Sequence, residues 1–193
     1  MTRFQQFSIA ACAVFMATAC VTPPSVAPAG TLQPEAEFSV DLARDWSHFP
    51  AAFNPITQGS MITQDGFILN RIHMMTLEAG EPIMKARKTD DVPRFNTGMS
   101  QIELVELVTA TLNRVGYESV TAENVEPMDF DGLDGVQFQI TGKFDTGLNL
   151  KGNVGLAQDG EKLHVIYFLA PELHYHETME DEAKAIIASA DVM

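Results

Sequence analysis

The sequence predicts an α+β domain, an antiparallel β-sheet packed by helices, on three observations. From residue 119 onward, apolar and polar residues alternate in runs separated by Asp-Gly and Thr-Gly turns, the pattern of strands joined by hairpins. Ahead of those runs stands one segment with a helical apolar period and a capping sequence. A second amphipathic segment closes the chain. Strands that follow one another through tight turns pair antiparallel, so the helices must lie against the sheet.

The elements follow in order. Phe38, Val40 and Leu42 alternate with Ser39 and Asp41, which reads as a half-buried strand, and Trp46 follows as a core anchor. The Asp65-Gly66 turn precedes a second strand over 67–77, stopped by Ala79-Gly80-Glu81-Pro82. Ser100 and Glu103 have capping-box spacing and open a helix with Val105, Val108, Leu112 and Val115 as its apolar stripe. Gly116 ends it, because glycine takes the left-handed conformation without a Cβ penalty. Strands are then predicted over 119–130, 136–143, 148–157 and 162–170, with turns at 131–135, Thr146-Gly147 and Asp159-Gly160, and Pro171 stops the last strand. Thr178 and Asp181 are placed to cap a final helix whose packing face is Ala183, Ile186, Ile187 and Ala190. The predicted order is β-β-α-β-β-β-β-α.

The start of the chain has a different character. Arg3 is the only charge in residues 1–19; an apolar run over 7–19 follows, ending in Ala17-Thr18-Ala19 ahead of Cys20. A charged start, an apolar run and small residues build a secretory signal. With a cysteine next, the segment resembles a bacterial lipoprotein signal, with Ala17 where that signal has a Leu, and the resemblance implies that the Cys20 thiol is acylated. The apolar run is too short to cross roughly 30 Å of hydrocarbon as a helix at ~1.5 Å per residue. A plain secretory signal cut near Ala19 is the alternative, and it would leave Cys20 as a free thiol. The two cysteines are Cys12 and Cys20, so the remainder of the chain can form no internal disulfide although it enters an oxidising compartment. Acylation accounts for an otherwise unpaired Cys20.

Residues 20–37 carry Pro23, Pro24, Pro28 and Pro34 and little apolar bulk. They predict a flexible tether that could hold a domain up to about 50 Å from the bilayer at ~3.1 Å per residue. Val21 stands where an Asp would resemble an inner-membrane retention signal, which favours the outer membrane. Residues 38–193 are a suitable length for a single domain with its own core.

Charge weighs against two classes of partner. The chain has 12 Lys and Arg against 26 Asp and Glu, a net −14, and removing Arg3 with the signal takes this to −15. Such a balance is unfavourable for nucleic acid and for anionic lipid surfaces.

Catalytic and metal-binding candidates are few. His174 and His176, with Glu177 and Glu180 nearby, could grip zinc or copper, since two imidazoles and a carboxylate are suitable ligands. The competing reading is a polar loop between the last strand and the last helix. His73 and His164 fall inside predicted strands as satisfied or solvent-facing residues, and His48 in a loop. Asp129, Asp131 and Asp134 lack the spacing of a calcium loop, with Leu133 at the fifth position and Ile140 at the twelfth, so turn chemistry accounts for them. Ser60 has no recognisable base, and no Gly-x-Ser-x-Gly elbow or phosphate-binding glycine motif occurs. Met74, Met75, Met84, Met99 and Met128 lack a repeated spacing and read as core or groove filling.

An early strand before the lone Trp46, a capped mid-chain helix, an antiparallel meander and a C-terminal helix together resemble the PsbP-like domain. The meander cues are Phe130-Asp-Gly-Leu-Asp-Gly135, Asp159-Gly160, Ala170-Pro171, and 186–190 in the last helix. That domain occurs in extrinsic photosystem subunits and in bacterial lipoproteins. The resemblance implies an α/β/α sandwich and a non-enzymatic binding or assembly role. No metal or partner residue of the family transfers position by position.

The sequence thus reads as an envelope lipoprotein with a signal over 1–19, a lipidated Cys20 and tether over 20–37, and one domain over 38–193. The expected role is a tethered periplasmic module for an envelope protein partner, with no cofactor, attached to the bilayer through Cys20. The alternative is a small-molecule or metal-binding lipoprotein that uses a groove between sheet and helix.

Overall fold

A computed structural model of the protein describes residues 23–54, 56–85 and 91–193. The signal segment 1–19 and Cys20 lie outside the described residues. Two sheets and two helices make up the fold. The large sheet contains β1 (Ser25–Ala27), β4 (Trp46–Phe49), β5 (Ser60–Thr63), β6 (Arg71–Glu78), β7 (Glu118–Phe130), β8 (Leu133–Lys143), β9 (Asn149–Asp159) and β10 (Lys162–Pro171). Its spatial order is β1-β4-β5-β6-β10-β9-β8-β7, with every pairing antiparallel. The small sheet runs β11-β3-β2, from Asp191–Val192, Phe38–Leu42 and Gly30–Leu32.

Both faces of the central part of the large sheet are covered. Along β10, Leu163, Val165, Tyr167 and Leu169 point into one core, while Ile166, Phe168 and Ala170 point into another. That division follows from the two-residue period of a strand. The first core is closed by helix α1 (Gln101–Arg114), which buries Leu104, Leu107, Val108 and Leu112. Its capping box is complete: Ser100 Oγ accepts from the Glu103 amide at 3.3 Å, and Glu103 accepts from the Ser100 amide at 2.8 Å. Gly116, at φ 112°, ends the helix as the sequence predicts, and the Tyr117 amide returns to the Leu112 carbonyl at 3.2 Å. The second core is closed by helix α2 (Glu177–Ala188) together with the small sheet; Met179, Ala183, Ile186 and Ile187 pack with Phe38, Val40 and Trp46. This is the predicted α+β class with the helix/sheet/helix layering.

Several elements differ from the sequence reading. The segment expected as a tether over 20–37 joins the fold from Ser25 onward. β1 pairs with β4, β2 pairs with β3, and Ala27 and Pro34 are buried. Prolines tolerate this arrangement because Pro24 and Pro28 flank β1 and stay out of its ladder. The Ala29 amide donates to Asp45 at 2.9 Å, and Thr31 donates to Asp41 at 2.8 Å, which fixes the segment. Strands β4 and β5 are also additional to the predicted set. They are only four residues each, too short for a period-two signal, and His48 lies in β4 instead of a loop.

The expected strand over 67–77 begins at Arg71, because 66–70 fold into a turn held by Asn70. Its side-chain oxygen accepts from the Gln64 amide at 2.9 Å, and its NH₂ donates to Asp65 at 2.6 Å. The turn expected over 131–135 shortens to Asp131-Gly132, both in the left-handed region, with Phe130 opposite Leu133. The last hairpin turns at Gly160-Glu161, one residue later than predicted. Thr178 does not cap α2. The helix starts at Glu177, and the Thr178 hydroxyl donates back to the His174 carbonyl at 2.7 Å.

Backbones approach closely at several glycines, among them Gly59, Gly135 and Gly152. A Cβ on Gly152, in the middle of β9, would stand 2.1 Å from the Phe168 carbonyl oxygen of β10. Gly152→Ala is therefore expected to destabilise the fold by about 3 kcal/mol, since a backbone atom cannot be repacked. Urea unfolding measures it as a lower midpoint; an unchanged midpoint would show that β9 and β10 can separate at no cost.

Candidate functional site

The turn Glu172–His176 joins β10 to α2 and carries both predicted metal ligands. Pro171 leaves the sheet, Leu173 is extended, and His174 takes φ 70°, a left-handed conformation that reverses the chain. The two imidazoles then face different surroundings. His174 is exposed beside Tyr175, with ring centres 5.1 Å apart. His176 is 3% exposed and stacks on Phe168 at 5.6 Å. Its Nε2 lies 3.2 Å from Asn153 Oδ1, and its Nδ1 lies 3.8 Å from Glu180. Among the described residues, no three His, Cys, Asp or Glu side chains converge on a point where an ion could sit. Holding one ion between His174 and His176 would require the turn to rearrange.

His176 instead forms the inner end of a polar network that reaches a groove. Glu180 receives a hydrogen bond from Gln139 at 2.9 Å and a salt bridge from Lys184 at 2.7 Å, and Asn124 donates to Gln139 at 2.8 Å. The groove holds about 350 Å³ between α2 and the β7–β9 part of the sheet. Asn124, Glu126, Gln137, Gln139, Asn153 and Lys184 supply its polar lining.

Two local features create the groove. Helix α2 sits low on β9 because Gly155 has no side chain; a Cβ there would lie 2.4 Å from Ile187 Cγ2. The helix therefore packs over β9 and leaves the adjoining face of β8 and β7 uncovered. The β7 ladder also breaks between Glu123 and Glu126, where Asn124 takes φ 52° and the strand bulges. Amides that both donate and accept, one carboxylate and one ammonium equip this surface for recognition by hydrogen bonds. Among the described lining residues, Glu126 and Lys184 are the ionisable groups and the rest of the polar lining is amide.

Sequence reasoning named His176 and Glu180 but not Gln137, Gln139, Asn153, Asn124 or Lys184. A signal for two of them was present: in β8, Val136, Phe138 and Ile140 are buried while Gln137 and Gln139 point to the other face. The amides mark a face left without a helix. The bulge that brings Asn124 toward it has no comparable pattern.

The other sequence candidates have structural places. Asp129 accepts from the Gly132 amide at 2.5 Å inside the turn, and Asp131 accepts from Val192 at 2.9 Å, tying β11 to the hairpin. Met75 and Met84 fill the first core, Met74 the second, and Met99 and Met128 pack at their margins. His73 is fully buried and lies against Tyr167 at 4.7 Å; its Nδ1 is 3.3 Å from the Asn54 NH₂ and 3.2 Å from Thr57 Oγ1. Arg71 is also buried. Its guanidinium donates to the Phe67 carbonyl at 2.9 Å and to the Tyr117 hydroxyl, which ties the 66–70 turn to the end of α1.

No protein-family model matches the chain, and no curated protein matches it. Solved structures do. The solution structure of cyanobacterial PsbP (CyanoP) from Synechocystis sp. PCC 6803 matches with a TM-score of 0.56 and 12% identity, over 85% of this chain and 94% of that one. The fold is PsbP-like. The crystal structure of LpqN, involved in cell envelope biogenesis of Mycobacterium tuberculosis, matches with a TM-score of 0.51 and 10% identity, over 88% of this chain and 91% of that one. At such identities the likeness extends to the PsbP-like fold and leaves the lining of the groove to this chain's own residues.

The histidines make a pH prediction. Burial holds His48, His73, His164 and His176 below the ordinary imidazole range. Around His176, Glu180 and Glu172 oppose that shift, and Lys151 and Lys184 reinforce it. A group whose pKa is depressed in the folded state is protonated first in the unfolded chain. Stability from these four residues is therefore complete above about pH 6.5 and falls as the pH drops below it. Urea midpoints at pH 7.5 and pH 5.5 read this effect, with the lower midpoint expected at pH 5.5. Equal midpoints would mean that the rings protonate in place.

Proposed function

We propose that the protein is a lipid-anchored, non-enzymatic binding or assembly module of the bacterial cell envelope. The acylated Cys20 thiol attaches it to a membrane, the outer membrane by the identity of Val21, and the PsbP-like domain faces the periplasm. The α2 groove receives an envelope protein partner. The observation that carries this reading is the composition of that groove: amides, Glu126 and Lys184 around about 350 Å³, a lining suited to hydrogen-bonded recognition. Support also comes from the lipoprotein-like segment before Cys20 and from the fold shared with LpqN, whose description places it in cell envelope biogenesis. Among the described residues no helix is long and apolar enough to cross a membrane. Anchoring confines module and partner to one surface, which raises their effective concentration without a new contact.

A small molecule in the same groove is the second reading. The volume favours it, since ligand pockets commonly span about 300–1,000 Å³.

Two measurements test the proposal. Labelled palmitate should enter the protein in cells and be lost from Cys20→Ser; label that persists in the variant would remove Cys20 as the anchor. A photoactivatable amino acid at Gln137 should capture one recurring envelope protein in cells, and the same probe at the exposed Ile68 should not. Equal capture at both sites would discard the groove as the partner surface, and ligand extracted with the pure protein would favour the second reading.

A further inference from the structure

Since the chain is folded from Ser25 onward, the leash between anchor and domain is short. Cys20 and Ser25 are five residues apart, a separation of at most about 18 Å in a fully extended chain. The eight-stranded sheet is about twice as wide as that, at ~4.8 Å per strand spacing. If Cys20 is held at the lipid headgroups, the surface around the start of β1 therefore has to face the bilayer.

That surface has a particular composition. The β1–β4 register sets Ser25 opposite His48 and leads the preceding Pro24 and Pro23 toward Phe49 and Pro50. Immediately beyond comes the 3₁₀ turn Ala51–Phe53, closed by the Phe53 amide on the Pro50 carbonyl at 2.8 Å. Ala52 and Phe53 are exposed, Phe53 to 43%, and Pro23, Pro24 and Val26 are exposed on the same edge, Val26 to 67%. The Lys85 ammonium sits under the turn, donating to the Asn54 carbonyl at 2.6 Å. Apolar side chains at a rigid turn with a cation beside them suit the boundary between headgroups and acyl chains. Glu35 also lies here, exposed, with its carboxylate accepting from the Ala51 amide at 2.5 Å.

We infer that the β1 edge and the turn Ala51–Phe53 form a membrane-docking surface, with Phe53 entering the interfacial layer of a lipid bilayer. This rests on the reading of Cys20 as the lipid anchor. Docking fixes the orientation of the whole domain. β1 and β7 are opposite edges of one eight-stranded sheet, seven spacings of ~4.8 Å apart, so the groove beside β7 is presented roughly 30 Å from the lipid. The anchored protein is then a display device: one sheet edge grips the membrane, and the other offers the polar groove to what lies beyond it.

The test supplies the anchor chemically, which separates this inference from acylation in the cell. In the chain beginning at Cys20, that residue is the single thiol, and it can be coupled to a maleimide phospholipid in nanodiscs of the zwitterionic lipids phosphatidylethanolamine and phosphatidylcholine. Spin-labelled lipid in the same discs broadens nearby amide signals. Selective loss of the signals of Val26, Ala52 and Phe53, with those of Glu126, Gln137 and Lys184 retained, is the expected result. Phe53→Ser should then restore much of the lost signal at Ala52. Uniform broadening, or broadening centred on another face, would overturn the docking surface. Absence of palmitate on the cellular protein would overturn the anchor reading alone, because the disc experiment reads the surface whichever way the anchor is supplied.

Discussion

β10 is buried on both faces, and the rest of the fold is arranged around that fact. A strand in this position must satisfy its whole backbone through its neighbours, and β6 and β9 do so along its length. Its side chains then divide by parity between two cores, so the molecule needs a cover on each side of the sheet. α1 supplies one cover. α2 and the small sheet supply the other. Gly152 follows from the same constraint, since the second neighbour of β10 comes too close for a side chain at that point.

The buried polar groups are the cost of this two-sided packing. His73 takes its hydrogen bonds from Asn54 and Thr57, His164 pairs with Thr76 at 3.0 Å, and His176 meets Asn153. Burial lowers the pKa of each below the ordinary imidazole range. These rings hold the 54–57 loop, the β6–β10 pair and the start of α2 in register. Of the three, only His176 is linked through Glu180 to the groove.

The β1 edge and the groove lie at opposite ends of the large sheet, and the two are connected by paired strands. A sheet is a stiff connector compared with a proline-bearing tether. A module built this way places its recognition surface by the width of a sheet, whereas a flexible leash would only limit how far it can wander. The correction to the N-terminal segment therefore bears on function: folding residues 25–37 into the domain exchanges reach for orientation.

The sequence by itself determined the features that depend on neighbours along the chain. The capping box of α1, its Gly116 end, the hairpins after Phe130 and Asp159, and the alternation that makes β8 and β10 strands were legible, because turn chemistry and side-chain period are local. The PsbP-like order of elements was legible for the same reason. Strands β1, β4 and β5 were not, since three or four residues carry too little period and their stability comes from partners far away in the chain. The groove was hardest to read. Gln137 and Gln139 showed a polar face, but only tertiary structure decided that α2, lowered onto Gly155, would stop short of covering it. That choice depends on how closely a helix can approach a strand, which is a property of packing and of no single stretch of sequence.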